Sequence, residues 1–421
     1  MLVMGGIVGA GIFVSPHVVA RHVQSPTLIL GAWIVGGAIA LIGAFVYAEL
    51  AALRPAVGGV YAYIRDAFHP LAAFLYGWTL LLVVQSGGMA AVAVTFARYF
   101  NELAGLATAE QAIAVAAVAV LTAVNCAGVR AGSNVQSALM LMKIVAILAL
   151  VTIGWWAGSA PRVVSSATGA AASPAAFAAA LVPVLFAYGG WQTASFVSGE
   201  LKNPRRDLSL GLLVGVIGVI ALYIAVNVVC LRALGPAGLA ATPAPASAVM
   251  RAALGDTGAR LIAAAIAIST AGFLSQSMLT APRVYYAMAR DGLFFRRIGS
   301  LTPGTRTPAA AIALQGAAAA IIAFLPYGRI LNYVVAIDAI FFGLTGAALL
   351  VFRRREQLNP ERASTPRLRT PGHPVTTVIF VAAFWLLALS TVYQFPRDAG
   401  VGVLILLAGV PVYLIWGRRR S

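Results

Sequence analysis

The chain has 421 residues, 61% of them hydrophobic and 10% charged, with a formal net charge of +17. Soluble domains carry roughly 25% charged residues, so this composition excludes a protein bathed in water on all sides. The two cysteines, Cys126 and Cys230, make neither a disulfide framework nor a metal-ligand spacing and read as small apolar residues.

A helix needs about 20 apolar residues to cross a hydrocarbon layer of roughly 30 Å. In chain order, twelve such spans are predicted, near 2–21, 28–53, 71–97, 111–127, 133–157, 176–199, 208–231, 259–283, 309–326, 330–352, 374–395 and 401–417. The expected fold class is an all-α integral membrane protein. The first span has no charged lead and no small-residue cleavage site, and eleven more spans follow it, which argues against a signal peptide. It opens inside apolar sequence, leaving open at this stage whether the native start lies upstream of Met1. The Ala/Pro-rich stretches 157–175 and 233–250 are expected to be outer loops. The basic run 353–373 is expected to be an inner linker that separates the first ten spans from the last two, 374–421.

Charge placement explains the basic balance. With the N-terminus inside, 20 Lys and Arg fall on the inner side and 8 on the outer, leaving out Lys143 within span 5. Basic residues accumulate in cytoplasmic loops as helices insert, so both termini are predicted to be cytoplasmic. The net charge then reflects insertion into a lipid bilayer, not a nucleic-acid partner.

Glycine placement points to a site. Residues 5–16 read GGIVGAGIFVSP and residues 186–192 read FAYGGWQ. Glycine disfavours helix interiors, yet spans 1 and 6 each carry a Gly-rich break near the middle. Being five spans apart, they cross the membrane in opposite senses. Interrupted helices at matching places in two inverted halves mark a transporter's binding site at mid-membrane. Unwinding frees backbone N–H and C=O groups that cannot stay unpaired in hydrocarbon. The N-terminus of a half-helix offers N–H donors to an anion, and freed carbonyls accept from a cation. A free α-amino acid carries both charges. The alternative reading of such glycines is close helix packing.

The segments 7-IVGAGIFVSP-16, 47-YAELAALRPAVGGVYAYIRDAF-68, 186-FAYGGWQTASFVSGELKNPRRDL-208 and 282-PRVYYAMARDGLF-294 carry a resemblance. Together the chain resembles the amino acid–polyamine–organocation (APC) transporters, especially the L-type amino acid transporter-like and bacterial neutral amino acid permeases. The resemblance implies a leucine-transporter-type core, five plus five helices in an inverted repeat, over residues 1–352. Repeat one is expected over about 1–157 and repeat two over about 176–352, with two additional C-terminal helices. Carried over by position, it implies that the backbone of Gly9, Ala10 and Gly11 holds a substrate carboxylate. The carbonyls of Ile7, Phe186, Ala187 and Gly189 would hold its ammonium, and Phe186 would be an aromatic gate. Ala10 departs from the serine common at that position in the family, so a hydroxyl contact is lost while the backbone donors remain. The location implied is the cell membrane, the inner membrane in a bacterium.

Ionisable groups inside spans are functional candidates by default. Lys143 lies in 138-ALMLMKIVAILAL-150, about 18 Å along its helix at 1.5 Å per residue, deep for a lysine that merely snorkels to the surface. By resemblance, its amine ties span 5 to the broken part of span 1, where sodium-coupled relatives bind an ion; it could also carry or sense a proton. Asp338, in 333-YVVAIDAIFF-342, is a candidate proton site or a buried polar partner. Glu49 and Glu200 lie near inner span ends and are expected to pair with Arg or backbone N–H groups. Gly5, Gly6, Gly190 and Gln192 are expected to form the side-chain pocket. With the neutral Gln192 where relatives that exchange cationic amino acids carry a carboxylate, the substrate expected is a neutral amino acid.

Catalysis has no support. The four histidines, His17, His22, His69 and His373, are scattered, and no nucleophile–base set, metal cluster or phosphate loop stands out. No cofactor is expected. The competing readings are a cationic amino acid or polyamine antiporter, and a membrane sensor that binds an amino acid without moving it.

Overall fold

The computed structural model describes residues 2–54, 58–105, 108–128, 133–156, 173–192, 204–295, 298, 300–302, 307–358 and 369–418. Among them every regular element is helical. Span 1 is two pieces, α1 (Leu2–Ile7) and α2 (Gly11–His22). There follow α3 (Pro26–Leu53), the short α4 (Val60–Ala67) and α5 (Pro70–Thr79). A π-helical segment, Leu80–Val84, joins α5 to α6 (Gln85–Ala104). Next come α7 (Glu110–Cys126), α8 (Ser133–Trp156) and α9 (Pro174–Tyr188). Then α10 (Pro204–Ala241), α11 (Pro245–Thr280), α12 (Pro282–Arg290) and α13 (Ala309–Ile322). The chain closes with α14 (Tyr327–Leu358), α15 (Val375–Gln394) and α16 (Pro396–Arg418).

Eight helical stretches are long and apolar enough to cross a membrane, and α7, α9 and α13 are shorter apolar helices. Helix starts follow local chemistry. Proline at the first turn costs no hydrogen bond and opens α3, α5, α9 and α11. The side chains of His69 and Ser173 accept from Leu71 and Ala176 N–H groups to cap α5 and α9. The expectation of an outer loop over 233–250 is corrected: α10 runs on to Ala241 and α11 starts at Pro245. Alanine is the best helix former; within this stretch the helix is broken at Gly235, at φ 66°, before Pro236 restarts it, and over residues 242–244 between the two helices. The predicted loop 157–175 lies outside the described residues but for its last three, where α9 is already under way.

Lipid tails are as apolar as leucine, so helices in a bilayer associate through close packing and polar contacts. The long helices α3 and α10 lie along one another, as do α6 and α11, and α14 with α15. Buried tyrosines tie elements far apart in sequence: Tyr188 Oη donates to the Trp33 carbonyl (3.2 Å) and Tyr99 Oη to that of Phe13 (2.9 Å). The outward faces carry exposed Val120, Leu148, Ile217, Leu261, Ile321, Leu386 and Leu407, the surface that meets lipid.

At one end of the bundle, polar contacts join α3, α4, α12 and α14. The fully buried Glu49 accepts from Arg353 Nε (2.6 Å) and from the Thr370 N–H (2.7 Å). Arg65 and Tyr61 on α4 both donate to Asp291, just beyond α12, at 2.5 and 2.7 Å. Arg355 donates to the carbonyls of Asp66 and Ala67 at the end of α4. Glu200 lies outside the described residues.

Candidate functional site

Helix regularity fails at Val8–Ala10 and again after Tyr188. At the first break the Val8 N–H still reaches the Met4 carbonyl (2.8 Å), and the Gly9 N–H turns back to Ile7 (2.7 Å). The next helix begins at Gly11 with Ala10 as its N-cap, and alanine has no side chain to cap it. Helix starts leave N–H groups without intrahelical partners. Among the described residues, those of Ala10, Gly11 and Ile12 have no acceptor. At the second break the Gly189 N–H reaches back to Leu185 (2.9 Å) and Phe186 (3.1 Å). Gly190 then turns at φ 107°, a conformation that only glycine enters readily.

The two breaks touch. A Cβ on Gly190 would sit 2.1 Å from the Gly6 carbonyl oxygen, and one on Gly11 would sit 2.5 Å from Ala187 Cα. Glycine therefore serves the packing of the two interruptions against each other as well as their unwinding.

Both interruptions border one cavity. It leaves about 110 Å³ for the centres of water-sized spheres, several times the ~10–15 Å³ that one water needs. From the first break it takes Gly6, Ile7, Gly9, Ala10 and Gly11, and from the second Phe186, Ala187, Gly189, Gly190 and Gln192. The remaining walls come from α6 with the π segment before it (Val84, Gln85, Gly88, Met89, Val92), α9 (Leu185), α11 (Phe273, Ser277), α14 (Val334, Val335, Asp338, Ala339, Phe342) and α15 (Phe384).

Two of the predicted residues stand elsewhere. Gly5 does not line the cavity; a Cβ there would point at Met140 Sδ on α8, 3.7 Å away. Lys143 sits behind the wall. It is 5% exposed, its Nζ donates to the Val8 carbonyl at 2.5 Å, and it lies 5.1 Å from the Phe273 ring centroid. The amine thus pairs a carbonyl that the first break sets free. Ile7 and Gln192 line the cavity but are already engaged. The Ile7 carbonyl accepts from the Gly9 N–H and from Tyr223 Oη (3.2 Å), and Gln192 Oε1 accepts from the Gly190 N–H (2.9 Å).

Sequence reading missed Tyr223, Phe273, Gln85 and Ser277. Phe273 carries the ring nearest to Gly9, 3.2 Å from where a Cβ would stand. Gln85 follows the π segment directly, and its amide donates to the Ser277 carbonyl (3.4 Å). π segments occur mostly at functional sites. This one is supported by Ser86 Oγ donating to the Leu81 carbonyl, five residues back, and by Tyr333 Oη donating to Leu82 (3.0 Å). A lone tyrosine or glutamine in an apolar span signals that its polar tip needs a partner, though not which one.

A multi-pass helical membrane protein that encloses a chamber walled by unwound backbone is, in class, a membrane permease. Residues 1–416 match the family described as amino acid permease, and the chain belongs to that family. It is 29% identical over 425 residues to the serine/threonine exchanger SteT of Bacillus subtilis (strain 168), covering all of this chain and 95% of that one. It is 30% identical over 433 residues to the Asc-type amino acid transporter 1 of Mus musculus, covering 98% of this chain and 79% of the relative. It is 30% identical over 435 residues to the large neutral amino acids transporter small subunit 2 of Homo sapiens, covering 98% and 78%. The family and these relatives are transporters, not enzymes.

Proposed function

We propose that this permease is a sodium-independent secondary transporter that exchanges neutral amino acids across the cell membrane by alternating access. One observation carries the reading: the two helix interruptions border a single cavity and pack on each other through Gly6–Gly190 and Gly11–Ala187. The N–H groups at the start of α2 suit a carboxylate, and carbonyls of the last turn of α9 and of Gly189 just beyond it suit an ammonium, that of Phe186 by sharing with the Gly189 N–H it now accepts. The sites proposed are Gly9, Ala10 and Gly11 for the carboxylate and Phe186, Ala187 and Gly189 for the ammonium. Ile7 would join only by giving up one of its two present donors. Phe186, half-buried at the cavity wall, is the proposed gate.

The names of the relatives, a serine/threonine exchanger and transporters of neutral amino acids, support the substrate class and the exchange mode. In the proposed architecture, twelve spans form a five-plus-five inverted repeat over residues 1–352. The segment 353–373 is a cytoplasmic linker, 374–421 holds two further helices, and both termini are cytoplasmic. Lys143 stands as the structural substitute for a coupling ion, holding α8 to the first break.

Uptake of radiolabelled alanine into proteoliposomes preloaded with unlabelled amino acids tests this. Saturable flux that depends on internal neutral amino acid and not on sodium is the expected result. Binding without flux would make the chain a sensor. Flux stimulated only by internal cationic amino acids or polyamines would make it a cationic antiporter.

A further inference from the structure

The cavity has a wall whose chemistry the transport reading leaves unused. A bound amino acid held at both breaks must turn its side chain away from them, toward α6, α11 and α14. The lining side chains there are mostly apolar, among them Val84, Met89, Phe273, Val335 and Phe342, with three polar exceptions: Gln85, Ser277 and Asp338. Gln85 already donates to the Ser277 carbonyl. Asp338 is the one ionisable residue among the described residues that line the cavity. It is half-buried on a helix whose neighbouring positions, Ile337 and Ala339, are 0% and 1% exposed. No hydrogen bond or ion pair links it to another described residue.

Resting on that transport reading, we propose that Asp338 is the specificity-determining residue of the side-chain subsite, accepting a hydrogen bond from a substrate with a short hydroxyl-bearing side chain. An acid in a membrane span is costly unless it meets a partner. A carboxyl oxygen facing an otherwise apolar wall is matched by a donor on the ligand. Two observations favour a neutral donor over a cation. The cavity is small, and Lys143 Nζ lies 5.1 Å from the centroid of the Phe273 ring that lines it, so a cationic side chain would bring a second basic group into a low-dielectric site.

Sites built to bond a hydroxyl reject the analogue that lacks it, and hydrogen bonds to charged groups carry the larger share of such discrimination. Competition against radiolabelled alanine exchange in proteoliposomes reads it out, using pairs that differ by little more than the hydroxyl: serine with alanine, and threonine with valine. In the wild type the hydroxyl member should compete about tenfold or more better. Asp338→Asn, which keeps an acceptor, should retain a preference, and Asp338→Leu should abolish it, read as the ratio of serine to alanine and of threonine to valine competition within each protein rather than as the absolute exchange rate.

Equal competition by threonine and valine in the wild type would overturn the assignment without any variant. So would an Asp338→Leu protein with an unchanged panel, or lysine and ornithine as the best competitors. A variant altered only in its pH profile would overturn it too, marking Asp338 as a proton site. Should no amino acid compete at all, alanine included, the transport reading itself would fall, an outcome distinct from competition without preference.

Discussion

Gly190→Ala isolates the junction of the two interrupted helices. Two costs add at this position. The backbone sits at φ 107°, outside the regions open to L-residues, and strain of this kind costs about 1–3 kcal/mol. The added methyl would stand 2.1 Å from the Gly6 carbonyl oxygen and 3.3 Å from Ile7 Cα. These are backbone atoms that no rotamer change can move, and forced overpacking of this sort costs about 1–3 kcal/mol more. The sum, about 2–6 kcal/mol, must come from displacing the first break relative to the second. If about 3 kcal/mol of it falls on the transport-competent arrangement, exchange drops roughly a hundredfold, since 1.36 kcal/mol is tenfold in rate. Gly88→Ala is the matched control, because Gly88 borders the same cavity but a Cβ there has nothing within 4 Å. Both variants would be purified in detergent, compared for thermal unfolding by size-exclusion recovery, and reconstituted for exchange. Gly190→Ala should lose both thermal stability and exchange, while Gly88→Ala should unfold within a degree or two of the wild type. A Gly190→Ala protein as stable and as active as the wild type would refute the packing of the two breaks described above.

Lys143→Ala leaves the Val8 carbonyl without its donor and should slow exchange at least tenfold, a loss of about 1.5–3 kcal/mol for a bond to a charged group; Lys143→Gln, which can still donate, should recover part of it, and equal rates for all three proteins would show the contact to be idle. Arg353→Ala strands the buried carboxylate of Glu49, and removing one partner of a buried pair costs about 3–5 kcal/mol; the thermal midpoint should fall clearly, while the double variant Arg353→Ala/Glu49→Gln should be the less destabilised of the two. The half-exposed pair Arg65–Asp291 is worth at most about 1 kcal/mol, so Asp291→Asn should leave the midpoint nearly unchanged. Phe186→Ala should cut exchange more than stability, because the side chain borders the cavity and is only half-buried; normal uptake by that variant would exclude the gate.

The long apolar helices, and the places where helix stops after Ile7 and after Tyr188, are legible in the sequence because each depends on local chemistry. An apolar stretch of sufficient length must be helical in lipid, where every backbone group needs an internal partner. The glycines of GGIVGAG and YGGWQ weaken the helix wherever they occur, so 2–7 and 11–22 part where the sequence says they should. One side of the cavity wall follows from these two segments, since the residues that unwind are the residues left facing the gap. Alanine-rich 233–250 misled, because its three prolines suggested a loop where Pro236 and Pro245 instead sit at helix restarts and Pro243 falls in the short break between them.

What the tertiary structure alone decided is where the freed backbone groups go. The Ile7 carbonyl finds Tyr223, 216 positions away, and the Val8 carbonyl finds Lys143, 135 positions away. Gly5 turns to Met140 rather than to the cavity, and Gln192 folds back on Gly190. The π segment at Leu80–Val84, with Gln85 behind it, has no marker in its own residues. Its fit is set by Tyr333 on a helix about 250 positions later. Local sequence fixes which groups lose their partners; only the packing of remote helices determines which of those groups are paired again and which are left to face a ligand.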